Sequence, residues 1–316
     1  MVYVKPKLSL WERALLIAAI TRTLGNGLLT SFTAPFRGSS GSAKYGNHVK
    51  IAMIRSFLTN TTIRHLQALQ PSFDEHIGLA IPPLRKVLLW FHGGGYALPP
   101  NPGHLTFASS LVSSAGPSLA VLMLSYTLAP HETYPHQLRQ GVECVRYMIT
   151  DLHLKPENVF IGGDSAGANL AIGVLSHMMY PHKDITPLDM GGGRLGSAIL
   201  LAPWCTFRTD YPSRTYNAKK DIMPASAGNR WSESFLGGKD RDGYNEPLSA
   251  SEDWWNGLED VVKEILICGG ADELLIDPIR ELGTKYKAVH KNTTVVIAEG
   301  EWHDKPTTDS LGGGGE

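Results

Sequence analysis

From Lys86 onward, six short apolar runs punctuate the chain: "KVLLWF", "LAVLMLSY", "NVFIGG", "SAILLAPW", "EILICGG" and "TTVVIAEG". They are rich in aliphatic and β-branched residues without strict alternation of apolar and polar positions, the pattern of strands covered on both faces. The segments between them are long enough to hold crossover helices. This rhythm predicts an α/β fold: a mostly parallel, doubly wound sheet with helices on both faces. A chain of 316 residues that is 42% hydrophobic has ample material for such a core.

Two stretches fall outside the rhythm. Residues 1–75 read as a helical segment, with helices near 10–24 and 53–69 separated by the polar loop "FRGSSGSAKYGNH". Residues around 205–260 separate two of the apolar runs by far more than the ~4–6 residues of an ordinary connection. Both stretches are expected to build a helical lid over a catalytic domain spanning 76–316.

At the N-terminus, Lys5 and Lys7 precede the apolar stretch Ala14 to Ile20, which invites comparison with a signal peptide. Glu12 and Arg13 at its head and Arg22 behind it leave it well short of the ~20 apolar residues a membrane span needs. Ser9 and Glu12 predict a capping box opening an amphipathic helix, with Leu15, Leu16, Ala19 and Ile20 on one face. That face is expected to pack on the protein's own body, with peripheral contact to a membrane surface as the alternative.

Charge narrows the partners. With 29 Lys+Arg against 30 Asp+Glu the net charge is −1, so no global field points to nucleic acid or a polyanion. The expected partner is small and neutral. Cys144, Cys205 and Cys268 are odd in number, far apart and set in apolar surroundings, as free buried thiols are. A cytoplasmic setting is expected, with no metal or organic cofactor.

The segment "NVFIGGDSAGANLAIGVLSHMM" places Gly163-Asp164-Ser165-Ala166-Gly167 between a strand and a helix. A serine on so tight a turn projects its hydroxyl clear of the sheet, and flanking glycines let neighbouring backbone pass closely. Ser165 is therefore the candidate nucleophile. Acyl transfer also needs donors aimed at an oxyanion, and backbone N–H groups reach it only where side chains are absent. "HGGG" at 92–95 is such a surface: the expected donors are the N–H groups of Gly94 and Gly95, joined by Ala166 at the helix start. His92 is expected to be structural.

A serine needs a base to take its proton and an acid to orient that base. His303, in "TTVVIAEGEWHDKP", follows the last apolar run and falls where the chain order serine, acid, histidine requires. For the acid, "ADELLIDPI" offers Asp272, Glu273 and Asp277.

Together these residues resemble the hormone-sensitive-lipase-like branch of the α/β-hydrolases, esterases that share HGGG and GDSAG motifs. The resemblance covers roughly 85–305 and includes "HGGGY", "YTLAP", the Tyr134-Pro135 pair, "GDSAGANLA", "LAPW" and an acidic loop ahead of a histidine. It implies an α/β-hydrolase fold and, with Asp277 as the second aspartate of the family's acidic motif, Glu273 as the acid, Asp272 being the rival. Asp277 is expected to cap a helix before Pro278. Thr127 and His131 replace an Arg and a Glu common in that family, Ala168 replaces a frequent glycine, and the tail "LGGGGE" leaves little room for a last full helix.

The implied function is a serine carboxylester hydrolase working through an acyl-enzyme on an apolar, uncharged small-molecule ester. "YTLAP" and "EDWWNGLEDVV" resemble fungal members associated with secondary metabolism, which implies deacetylation or hydrolysis of a natural-product ester. The alternatives are acyl transfer or formamide hydrolysis by the same triad, or a non-catalytic binding protein on the scaffold. Trp11, Phe32, Tyr96, Trp204, Phe207, Trp231 and Phe235 are the candidate pocket lining.

Overall fold

The computed structural model describes residues 6–37, 41–42, 44–69 and 86–308. All six apolar runs become strands: β1 (Lys86–Phe91), β2 (Leu119–Leu124), β3 (Val159–Asp164), β4 (Ser197–Leu201), β5 (Ile265–Gly270) and β6 (Thr293–Ala298). Every neighbouring pair is parallel, in the order β2-β1-β3-β4-β5-β6. The chain steps outward from β1 to β2, then returns past β1 and continues the other way. Such a reversal leaves a crevice beyond the carboxyl ends of the two inner strands, where α/β sheets bind ligands.

Coverage on both faces holds at the centre of the sheet, where β1 and β3 are almost wholly buried. The edges differ. β2 is half-buried throughout, and β6 runs from buried Thr293 to exposed Thr294 and Val296; among the described residues each has a neighbouring strand on one side only.

The helices are, in chain order, α1 (Leu10–Thr33), α2 (Tyr45–Asn60), α3 (Ile63–Leu69), α4 (Pro102–Ala115), α5 (His136–Thr150), α6 (Ala166–Met179), α7 (Ser213–Tyr216), α8 (Ala225–Leu236), α9 (Leu258–Val261), α10 (Ile276–Val289) and α11 (Lys305–Thr308). α4, α5, α6 and α10 are the crossovers, and α7 and α8 occupy the long insertion after β4.

The N-terminal segment departs from its sequence reading in three places. α1 has the expected capping box, with Glu12 N donating to Ser9 Oγ at 3.2 Å and Ser9 N to Glu12 Oε2 at 2.8 Å, but it runs on to Thr33. α2 begins inside the expected loop, at Tyr45. The expected helix over 53–69 is broken at Thr61, which is extended (φ −111°, ψ 150°), and α3 restarts through Thr62 and His65, whose side chains each accept the other's backbone N–H. The boundary at residue 75, and the tail "LGGGGE", lie outside the described residues.

The insertion and the N-terminal helices meet over the carboxyl end of the sheet. Arg230 of α8 donates to the carbonyls of Leu58 and Thr61 at the end of α2, at 2.8 and 2.9 Å. Arg55 of α2 donates to the Ala218 carbonyl at 2.9 Å. A guanidinium capping the last carbonyls of a helix satisfies groups that have no partner within it. Beneath them α6 is buried on all sides: its Asn169 donates to Trp204 O and Asn245 O and accepts from Tyr96 Oη, locking sheet, helix and insertion together. Gln140 of α5 accepts from Thr127 N and donates to Thr127 Oγ1, so the loop after β2 is tied to α5 by neutral groups.

Candidate active site

β3 ends at Asp164 and α6 starts at Ala166, so Ser165 must turn the chain alone. It does so at φ 51°, ψ −113°, a strained conformation for a residue with a side chain. Its N–H is held by Leu201 O of β4 at 2.9 Å and its carbonyl accepts from Trp204 N at 3.1 Å. The turn works only because its neighbours are bare: a Cβ on Gly167 would lie 1.9 Å from the Phe91 carbonyl oxygen at the end of β1.

His303 follows β6. Its Nε2 is 2.9 Å from Ser165 Oγ and its Nδ1 is 2.8 Å from Glu273 Oε2, and both Glu273 and His303 are buried. The second oxygen of Glu273 accepts from Gly270 N, which fixes the carboxylate's plane. The other two acidic candidates face elsewhere. Asp272 pairs with Lys220 at 3.0 Å. Asp277 is not the expected cap: the residue before α10 is Leu275, and Asp277, in the first turn, accepts from Ser213 N and Tyr216 Oη and so ties α7 to α10.

In the glycine run, Gly94 and Gly95 adopt φ of 104° and 61°, open to glycine and strained for other residues. The Gly94 carbonyl accepts from Ala97 N and Leu98 N, which turns it into the following loop. Gly94, Gly95, Ser165 and His303 line one cavity of about 260 Å³. Ala166 is the first residue of α6, where the N–H has no partner within its own helix. His92 stacks on Tyr126 at 4.2 Å between centroids and bonds the Gly93 carbonyl; burial, helped by His104, pushes it down to about 3.

Of the candidate lining residues, Trp231 faces this cavity. Trp11 and Phe32 instead stand on α1 at 73% and 77% exposure. Tyr96, Trp204, Phe207 and Phe235 pack into the core, Tyr96 stacking on Phe235 at 3.8 Å. Most of the wall surface is apolar, supplied by Ile54, Phe57 and Leu58 of α2, Leu66 of α3, and Ile222 and Met223 of the insertion.

Three carboxyls close to the site escaped sequence reading. Asp164, the variable residue of G-x-S-x-G, accepts from Trp90 Nε1 and bonds His104 Nε2, both at 2.9 Å. Burial works against its charge, but His104 and the Trp90 donor outweigh it and hold Asp164 low, while the same carboxylate holds His104 high. Asp221, from the insertion, accepts from the N–H groups of His303, Met223 and Leu274, so one side chain fixes both the histidine loop and the acid loop. Burial, above all, pushes it up to about 6.

Asp304 puts Oδ2 3.2 Å from His303 Nε2, the nitrogen that also meets Ser165, and its other oxygen is buried with no hydrogen-bond partner among the described residues. Burial raises Asp304 well above the usual carboxyl range. Burial alone would lower His303, but the facing carboxyls of Asp304, Glu273 and Asp221 push it up to about 10. Once protonated, Asp304 carries no charge and no longer raises the ring's pKa. Adjacency to His303 was the only sequence signal for Asp304; Asp221 had none.

Comparison with known proteins agrees with this architecture. The profile of a family described as alpha/beta hydrolase fold matches residues 88–306. An acetyl-hydrolase of Streptomyces hygroscopicus is 29% identical over 215 residues, 68% of this chain and 65% of that protein. Steryl acetyl hydrolase 1 of Saccharomyces cerevisiae is 32% identical over 127 residues, 39% of this chain and 27% of its own length. The chain thus spans less than two thirds of these relatives. Among solved structures, an esterase/lipase from an uncultured bacterium superposes with a TM-score of 0.61 at 28% identity, covering 72% of this chain and 71% of that one.

Proposed function

The chain belongs to the α/β-hydrolase fold family, in its hormone-sensitive-lipase-like branch, and on that premise we propose that it is a serine carboxylester hydrolase working through an acyl-enzyme. The reading rests above all on the line Ser165 Oγ, His303 Nε2, His303 Nδ1, Glu273 Oε2, with contacts of 2.9 and 2.8 Å.

In the proposed cycle Ser165 Oγ attacks the ester carbonyl as His303 Nε2 accepts its proton. The tetrahedral oxyanion is met by the N–H groups of Gly94, Gly95 and Ala166, each such donor being worth about 3 kcal/mol in the transition state. His303 returns the proton to the leaving alcohol. Water, deprotonated by the same ring, then attacks the acyl-enzyme and frees Ser165. Glu273 holds the ring in the required tautomer and stabilises its charged form.

We assign a short acyl group to the substrate. The cavity, at about 260 Å³, is smaller than the ~300–1,000 Å³ of pockets that enclose a drug-sized ligand, and its wall is mostly apolar. An acetyl or similar ester of an apolar alcohol, a natural product included, fits that shape, and the names of the two relatives above point the same way. α2, α3 and the insertion act as the lid, since each contributes cavity wall.

Exposure to an organophosphonate, followed by mass spectrometry, tests the proposal. A single adduct on Ser165 is expected, together with turnover of p-nitrophenyl acetate that vanishes in Ser165→Ala. Unchanged turnover in that variant would end it.

A further inference from the structure

We propose that α1 is an interfacial helix that docks the protein on an anionic lipid membrane. Its amphipathicity is inverted. The stripe facing α2 is Leu16, Ala19, Thr23, Gly27 and Thr30, mostly small or polar, whereas the large apolar side chains point away. Leu10, Ile17, Leu24, Leu28 and Phe32 are 85%, 66%, 56%, 65% and 77% exposed. Small side chains let the two helices approach: a Cβ on Gly27 would lie 2.8 Å from the Met53 side chain of α2. A helix facing water keeps its polar side outward. This one presents a row of apolar side chains along 24 residues, about 36 Å.

Charge selects the occupant. Residues 1–75 carry nine Lys and Arg against three acids, Glu12, Asp74 and Glu75, a net +6, so the remaining 241 residues carry −7. The near-zero total conceals this division. Lys7, Arg13, Arg22 and Lys44 are exposed on or beside α1. Two copies of so basic a segment would repel one another, whereas apolar side chains flanked by cations match the boundary between acyl chains and anionic headgroups.

Leu10–Phe36 also contains an 18-residue stretch of mean hydropathy 1.3, long and apolar enough to cross a membrane. Its contacts with the body favour lying flat. Glu12 pairs with Arg64 of α3 at 2.7 Å, Asn26 donates to Ala52 O at 3.1 Å, and Tyr45 Oη donates to Ser31 O at 2.9 Å. α2, directly beneath, supplies wall to the cavity through Ile54, Phe57 and Leu58. On the activity proposed above, docking brings the cavity next to esters dissolved in the lipid.

Sedimentation of the full chain with vesicles tests this. It should pellet with phosphatidylcholine–phosphatidylserine vesicles, far less with phosphatidylcholine alone, and be released by high salt. Ile17→Glu combined with Leu28→Glu should cut the bound fraction about tenfold while leaving hydrolysis of soluble p-nitrophenyl acetate unchanged, which also reports folding. Arg13→Glu with Arg22→Glu should weaken only the phosphatidylserine-dependent part. Ser165→Ala should bind as the parent does, so failure of the chemistry and failure of docking read separately. Parent protein that stays in the supernatant with both vesicle types overturns the proposal. So does an apolar-face variant that becomes monomeric on gel filtration yet pellets undiminished, which would identify a second copy as the occupant.

Discussion

His303 stands between two carboxyls, Glu273 on Nδ1 and Asp304 on the nitrogen that meets Ser165. Only a neutral ring accepts the serine proton, so kcat/KM falls as pH drops through the ring's pKa. A charged Asp304 raises that pKa, and replacing it with Asn removes the charge. Asp304→Asn should therefore move the acid limb of the kcat/KM profile to lower pH, by about one unit or more. A limb that stays in place would mean that Asp304 does not raise the ring's pKa. On the other nitrogen, Glu273→Gln should reduce kcat by about 10³- to 10⁴-fold, as loss of the orienting acid does in serine triads. Asp272→Asn, which loses only its Lys220 partner, should stay near full activity in the same p-nitrophenyl acetate assay.

At the level of elements, the junction of β3, Ser165 and α6 is crowded because the end of β1 presses against the helix's first turn. The crowding is backbone against backbone, so no flexible side chain can yield. In Gly167→Ala the new methyl would meet the carbonyl oxygens of Phe91 and His92, 1.9 and 2.7 Å from the ideal Cβ position. The expected cost is about 3 kcal/mol, read as a lower urea midpoint, with activity falling as the serine shifts. Gly95→Ala differs in kind. Its Cβ would lie 2.5 Å from the Trp231 ring, which lines the cavity, so turnover should fall more than stability.

For the molecule as a whole, the insertion and the N-terminal helices are separate in sequence but joined above the cavity, and Arg230 is a principal tie. Arg230→Ala removes two charge-assisted bonds to helix-end carbonyls and should cost roughly 2 kcal/mol. Limited proteolysis should then cut faster within α1 to α3, and KM for short esters should rise, while the sheet's far-ultraviolet signature persists. Equal cleavage rates would show that other contacts hold the roof.

Much of this was legible in the chain. The six apolar runs marked the strands because a parallel strand covered by helices is apolar on both faces, most completely at the centre of the sheet. The serine turn and the glycine run were readable for a related reason: backbone that passes within contact distance tolerates no side chain, so the constraint is written as glycine. What stayed hidden depends on contacts between distant segments. Asp272 and Glu273 are chemically alike and adjacent, and only the path of the chain after β5 decides which one meets His303. Asp221, 82 positions before His303, and Asp304 carry no local pattern, because a buried carboxyl is defined by the groups folded around it. α1 is the converse case. Its apolar content was plain, but which of its sides faces α2 and which faces outward is a property of the packed helix pair, and only the tertiary structure decided it.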